Sequence, residues 1–389
     1  MRLLNTTTLD FEEFIDTHRV RYSILSHCWS QNKEDPEVSH QAFLSGKFDR
    51  NGSGWRKIRR CCRLSKQRGF DWTWIDMCCV DKTSSAELSE TTNSMFAWYR
   101  DAAECYVFMD DVETISVRQF SVSRWWSRGW TLQELLAPTA VFFFNKDNVF
   151  LGTRDSLADL VSHASGIGHE FVTRKRTIYE ASIAQRMSWA SRRETTRRED
   201  EAYALLGIFD VNIPLLYGEG ERAFLRLQEE IIRQSDDQTI LAWSVPAKRR
   251  KTESNKQKKK CLGVLARAPY DFRGSGDVKS IQCSDVRSHA ITNQGLALHC
   301  HTERLLNTSR FGNWSSAYDA VERQERIQLG CKLGHDSILV LHLVNKGKLW
   351  YRTGLVVDQS HRSSNFWHTA VKHGGLLPII HAAVLARTP

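Results

Sequence analysis

Four short apolar runs, each separated from the next by a stretch long enough for a helix, constrain this chain most. Tyr22–Leu25 ends at Ser26-His27, Trp72–Ile75 at Asp76, Cys105–Met109 at Asp110-Asp111, and Ala140–Phe144 is apolar throughout. Between them, Trp55, Ile58, Cys62 and Ser65 recur at helical spacing. Ser84 and Glu87 form a capping-box pattern ahead of the stripe Leu88, Thr92, Met95 and Tyr99. Strand–helix alternation predicts βαβ units, and strands with no polar face require a sheet covered on both sides. The expectation is an α/β fold over residues 1–150: a parallel sheet with flanking helices.

Beyond it, Ile183, Met187 and Trp189, the Ala- and Leu-rich Asp200–Ile208, and Phe224, Leu227, Ile231 and Ile232 read as helices. They predict a helical extension over 151–245, packed on the first domain. Alternation in Ser288–Cys300 and Ser337–Val344 predicts a smaller β-rich C-terminal module over 261–389. The intervening 246–260 is a basic linker. Its Lys248–Lys260 holds eight basic residues and one acidic, +7 of a net 54 − 45 = +9, so the remainder carries only +2. Such a run cannot bury apolar surface and reads first as a solvated loop, so nucleic acid is not the expected partner. A nuclear import signal or a nucleic-acid contact is the sharper alternative.

Ten cysteines without a Cys-x-x-Cys spacing suit reduced thiols rather than a disulfide scaffold. His299-Cys300-His301 is the tightest group of ligand types, and two same-face ligands fall short of a zinc site, so no metal is expected. The acidic start Asp10–Glu13 does not suit a signal peptide, and no run approaches the ~18 apolar residues of a membrane helix. A soluble cytoplasmic protein is expected, with nuclear entry through Lys248–Lys260 as the alternative.

In open parallel sheets ligands bind past the carboxyl ends of the strands, where Ser26, His27, Asp76 and Asp110 fall. The segment Ser123-Arg-Trp-Trp-Ser-Arg-Gly-Trp-Thr-Leu-Gln-Glu134 adds a carboxylate at the start of a short apolar helix, beside clustered Trp and Arg. Aromatic faces with a fixed anion suit a planar cation. Thr131-x-x-Glu134 is equally a capping box, in which the carboxylate serves only a backbone N–H, and the pattern leaves both uses open. There is no Gly-x-Ser-x-Gly, no His-Glu-x-x-His, no Gly-x-x-x-x-Gly-Lys-Ser/Thr, and no Gly-x-Gly-x-x-Gly after a strand.

Tyr22-Ser-Ile-Leu-Ser-His-Cys-Trp29, Trp74-Ile-Asp-Met-Cys-Cys-Val-Asp-Lys82, Asn93-Ser-Met-Phe-Ala-Trp-Tyr-Arg-Asp-Ala102 and the tryptophan segment occur in this order. Together they resemble the HET domain of fungal heterokaryon (vegetative) incompatibility proteins, over roughly residues 20–145. Arg197–Asp210 and Leu216–Gly220 resemble the helical continuation on the carboxyl side of that domain in incompatibility proteins. The HET domain is in turn remotely similar to TIR domains, which implies a TIR-like, flavodoxin-like sheet. Gly129-Trp-Thr-Leu-Gln-Glu134 is similar to the TIR segment Ser-x-Trp-Cys-x-x-Glu, with Thr131 in place of the Cys.

That resemblance implies Glu134 as the catalytic carboxylate of NAD+ cleavage, in an effector of incompatibility-type cell death. Ser26, His27, Trp29, Asp76, Arg124, Trp126, Arg128 and Trp130 are then the substrate-binding residues. Stacking is expected of Trp125, Trp126 and Trp130, and pyrophosphate pairing of Arg124 or Arg128. NAD+ is substrate here, with no resident cofactor. The alternative is a non-catalytic interaction module that self-associates or recruits an NLR-type or allelic protein partner.

Overall fold

The computed structural model describes residues 1–30, 32–244 and 263–280, and beyond these the strands of a second sheet. The chain divides into two compact units, Met1–Glu180 with Arg192–Ala223, and Ala181–Ser191 with Phe224–Pro389.

The first unit is built on β1 (Arg2–Asn5), β2 (Phe11–Glu13), β3 (Tyr22–His27), β4 (Trp72–Trp74), β5 (Glu104–Met109), β6 (Val141–Asn145) and β7 (Phe150–Thr153). Their order is β2-β1-β4-β3-β5-β6-β7. β4, β3, β5 and β6 are mutually parallel and start and end within two residues of the four apolar runs. The expectation of a wholly parallel sheet is corrected at the edges, because β1 runs antiparallel to β4, β2 to β1 and β7 to β6. A few residues suffice to join antiparallel neighbours, as between β6 and β7, whereas a parallel pair needs a long crossover. β7 begins at Phe150, so a boundary at 150 falls within this sheet.

Helices cover both faces of the sheet. Helix Ser53–Gln67 buries Ile58, Cys61, Cys62 and Ser65. Its Ser65 hydroxyl lies 2.7 Å from Ser23 Oγ, which also reaches Thr73 Oγ1 at 2.9 Å, so the polar groups inside β3 and β4 are satisfied. Ser23 and Ser26 differ by an odd number of positions and so point to opposite faces of β3. Helix Ser85–Asp101 starts on the Ser84 hydroxyl, which accepts from Glu87 N at 3.3 Å. The reciprocal half of that capping box is absent: Glu87 accepts instead from Asp81 N and from Arg2.

Residues 192–223 join this unit through the Arg-Glu-Asp and Tyr-Gly-Glu-Gly motifs, which clamp each other. Glu199 Oε1 accepts from Gly218 N (2.8 Å) and Gly220 N (3.0 Å), and Tyr217 Oη donates to Asp200 (3.0 Å). Gly218 and Gly220 take positive φ (105° and 61°), which glycine adopts without a Cβ penalty.

In the second unit, helix Ile183–Ala190 carries a complete Ser182/Gln185 capping box. Its sheet comprises β8 (Val278–Ser280), β9 (Ala290–Thr292), β10 (Gly295–Leu298), β11 (Thr302–Arg304), β12 (Gln324–Leu333), β13 (Ser337–Lys346), β14 (Leu349–Asp358) and β15 (Ala383–Ala386). The order is β11-β12-β13-β14-β15-β10-β9, with β8 on β12. Lys248–Lys260 and His299-Cys300-His301 lie outside the described residues. The seven described cysteines are all buried thiols. Among the described residues no helix is long and apolar enough to cross a membrane, and no group of three or more His, Cys, Asp or Glu could hold a metal.

Candidate functional site

At the carboxyl end of β3 the chain turns its side chains to two different neighbourhoods. On one face the Ser26 hydroxyl donates to Glu134 Oε2 and accepts from Trp125 Nε1 at 2.8 Å. Glu134 stands in the first turn of helix Thr131–Leu136, every residue of which is buried. Relative exposure is 0% for Ser26, 1% for Trp125 and 5% for Glu134.

The helix start shows what Glu134 does not do. Its N-cap is Trp130, with no side-chain cap bond, and the Thr131 hydroxyl turns to the carbonyls of Trp125 (2.7 Å) and Arg128 (2.9 Å). The capping-box use of Thr131 and Glu134 is therefore absent. Burial pushes the Glu134 carboxyl up to about 8. The Ser26 hydrogen bond opposes that rise, Asp76 adds to it, and Arg193 and Arg128 pull it down. Such a group holds its proton more tightly than an ordinary glutamate, and nearby positive charge works against that.

His27 points to the other face. Its Nδ1 lies 3.7 Å from Asp76 Oδ1 and its Nε2 4.0 Å from Glu37 Oε1. Burial lowers its proton affinity, with Asp76 opposing, so the ring is neutral. Beside it Lys57 Nζ reaches Glu37 (2.7 Å), the Cys28 carbonyl (3.0 Å) and Asp110 (3.3 Å), pinning the chain that leaves β3. Asp76 accepts from Trp29 Nε1 at 2.8 Å. Burial alone would raise its carboxyl, but Lys82 and the Trp29 N–H hold it below the usual carboxylate range.

The tryptophan–arginine segment divides by role. Arg124 Nη2 donates to the Trp29 carbonyl at 3.0 Å, tying the segment to the tip of β3. Asp111 accepts from Ser123 Oγ and Arg124 N, both at 2.7 Å, which makes it a turn anchor. Arg128 is half-buried, and its carbonyl takes Thr131 and Arg193. Trp130 is half-buried, with its indole N–H on Asp200. Trp126 is buried: its Nε1 donates to Phe120 O at 2.6 Å and its ring packs on Phe120 and Trp125. Trp125 is likewise buried, but its N–H is aimed at the site.

Arg193 was not legible as part of this cluster. Its Nη1 donates to Arg128 O (2.9 Å) and to Thr131 Oγ1 (2.8 Å), 62 residues earlier in the chain. Burial lowers its proton affinity to about 10, and Glu134 opposes that. Nothing local in Ser191-Arg-Arg-Glu194 marks it, because an arginine gains its role from what folds over it.

Residues 22–118 match the heterokaryon incompatibility protein (HET) family. The chain carries a HET domain. The vegetative incompatibility protein HET-E-1 of Podospora anserina is 44% identical over 220 residues, covering 54% of this chain and 16% of that relative. The chain thus spans about a sixth of its curated relative's length. Residues 222–303 match a domain of unknown function. No solved structure matches the chain. Ser26, His27, Trp29 and Asp76 lie inside the HET match, whereas Arg124, Trp126, Arg128, Trp130 and Glu134 lie beyond it, and of these Arg124 and Glu134 reach the tip of β3.

Proposed function

We propose that this HET-domain protein is an incompatibility effector that hydrolyses the N-glycosidic bond of NAD+, using Glu134. One observation carries the reading: Glu134 is a buried carboxyl at the tip of β3, held by Ser26 and not spent on capping its own helix. Counted along the chain, the four parallel strands run 2-1-3-4, an order that supports a TIR-like, flavodoxin-like domain. In such sheets the ligand crevice opens where the order reverses, here at the tips of β3 and β5, which is where Ser26 stands.

Nicotinamide leaves NAD+ as a neutral base, so its departure needs no general acid. Positive charge develops on the ribose, which an adjacent carboxylate stabilises in a site shielded from bulk solvent. Water then adds to the sugar carbon, giving ADP-ribose, nicotinamide and a proton. Ser26 fixes one carboxylate oxygen, Trp29 and Trp130 offer partly exposed rings, and Arg124 and Arg128 supply charge for the pyrophosphate. The protein acts in the cytoplasm, and loss of NAD+ there is the route to cell death.

Glu134→Gln keeps the shape and the acceptor for Ser26 but removes the ionisable group. NAD+ turnover by the purified chain is expected to fall about 100-fold or more, with the thermal transition retained. Undiminished turnover in a folded variant rejects the enzyme. The near-complete burial of Ser26, Trp125 and Glu134 favours a second reading, in which this trio is core and the domain recruits an incompatibility partner. Toxicity that persists in Glu134→Gln selects it.

A further inference from the structure

Lys82 lies across the indole of Trp29, with Nζ 3.4 Å from the ring centroid and 3.4 Å from Asp76 Oδ2. The indole is locked at its rim, since Trp29 Nε1 donates to the same Asp76 oxygen at 2.8 Å, and Arg124 holds the Trp29 carbonyl at 3.0 Å. An aromatic face with a carboxylate at its edge is a receptor for a cation, and here a side chain of the protein fills it. We propose that Trp29 and Asp76 form a subsite for a planar cationic heteroaromatic ring, and that Lys82 occupies it as a tethered competitor in the ligand-free chain.

The tether is fixed and the plug is loose. Asp81 N donates to Glu87 Oε1 at 2.9 Å and Thr83 N to Asp81 Oδ1 at 3.0 Å, so the backbone on either side of Lys82 is anchored. The Lys82 side chain itself is 40% exposed, and exposed ion pairs and cation–π contacts are weak enough to be exchanged. An ammonium touches the indole at one point, whereas an alkylated pyridine ring lies along the whole face and brings the same charge to Asp76. Stacking therefore favours the ring over the lysine. The inference rests on the NAD+ reading for its ligand class, because nicotinamide in NAD+ is such a ring.

The test is calorimetric titration of the full chain with 1-methylnicotinamide, a cationic pyridinium without a ribose, and with neutral nicotinamide. The wild-type chain is expected to prefer the cation. Lys82→Met removes the competitor and tightens 1-methylnicotinamide binding about threefold to tenfold, the worth of one exposed cation–π contact and ion pair. Asp76→Asn keeps an acceptor for the Trp29 N–H and weakens binding. Equal affinities in wild type and Lys82→Met, or no binding by either, overturn the proposal. The probe has no glycosidic bond, so binding that follows this pattern without NAD+ turnover removes the cleavage reading and leaves the subsite. Turnover with Lys82→Met unaltered in probe affinity does the reverse.

Discussion

A carboxyl group sealed from water keeps its proton until something makes ionisation worthwhile, and Glu134 is such a group. Catalysis needs the carboxylate, so kcat/KM for NAD+ is expected to rise with pH and level off above about 8, the value to which burial pushes Glu134. Folding stability should respond in the opposite sense. The folded-state affinity is raised above the unfolded value of 4.5, so this contribution is full below 4.5, declines as pH rises, and is gone once pH passes about 8. Urea unfolding across that range should show the loss in the wild type and a flatter profile in Glu134→Gln. Arg193 acts on the same proton through its charge. Arg193→Met should move the Glu134 titration further upward, read from labelled carboxyl resonances, and this readout is independent of turnover. Whether Glu134 was a cap or a site carboxylate could not be read from Thr131-x-x-Glu134, since both uses place the same residues three apart. The hydroxyl that Glu134 accepts from, Ser26, stands 108 positions away.

Helix Thr131–Leu136 is a six-residue element, far below the length at which a helix holds itself in water, so its neighbours hold it. At one end Arg193 donates to Thr131. At the other, the buried Arg154 donates to the carbonyls of Leu135 (2.8 Å), Pro138 (2.9 Å) and Thr139 (3.0 Å). Just before the helix, Gly129 N donates to Glu194 O at 2.9 Å, and a Cβ on Gly129 would run into Thr195 Cγ2. Gly129→Ala is therefore expected to cost about 1–3 kcal/mol by overpacking and to lower the melting temperature. Adding Thr195→Ala should restore most of it, and additive losses in the double variant would refute the clash. Strands β3 to β6 were legible because each falls on a short apolar run, and three of those runs stop at polar residues. β1, β2 and β7 were not, because edge strands of three or four residues carry too little pattern to separate them from loops.

Across the whole molecule, the chain leaves the HET unit at Ala181, returns at Arg192 and leaves again after Ala223. The returning segment brings Arg193 and the Glu199–Gly220 clamp. A chain ending at Glu180 is thus expected to unfold without a cooperative transition in a thermal melt, and a cooperative transition in that shortened chain would make 192–223 dispensable. The sequence by itself determined the α/β class, the four parallel strands and the row of polar residues at their ends, since periodicity and strand termination are local properties of a few neighbouring residues. Only the tertiary structure decided that the sheet has antiparallel edges, that Trp126 is core, that Ser26 faces Glu134 while His27 faces Lys57 and Glu37, and that Lys82 covers Trp29. Each of those depends on groups brought together from distant positions, and the proton affinity, exposure and partner of a side chain are set by that company.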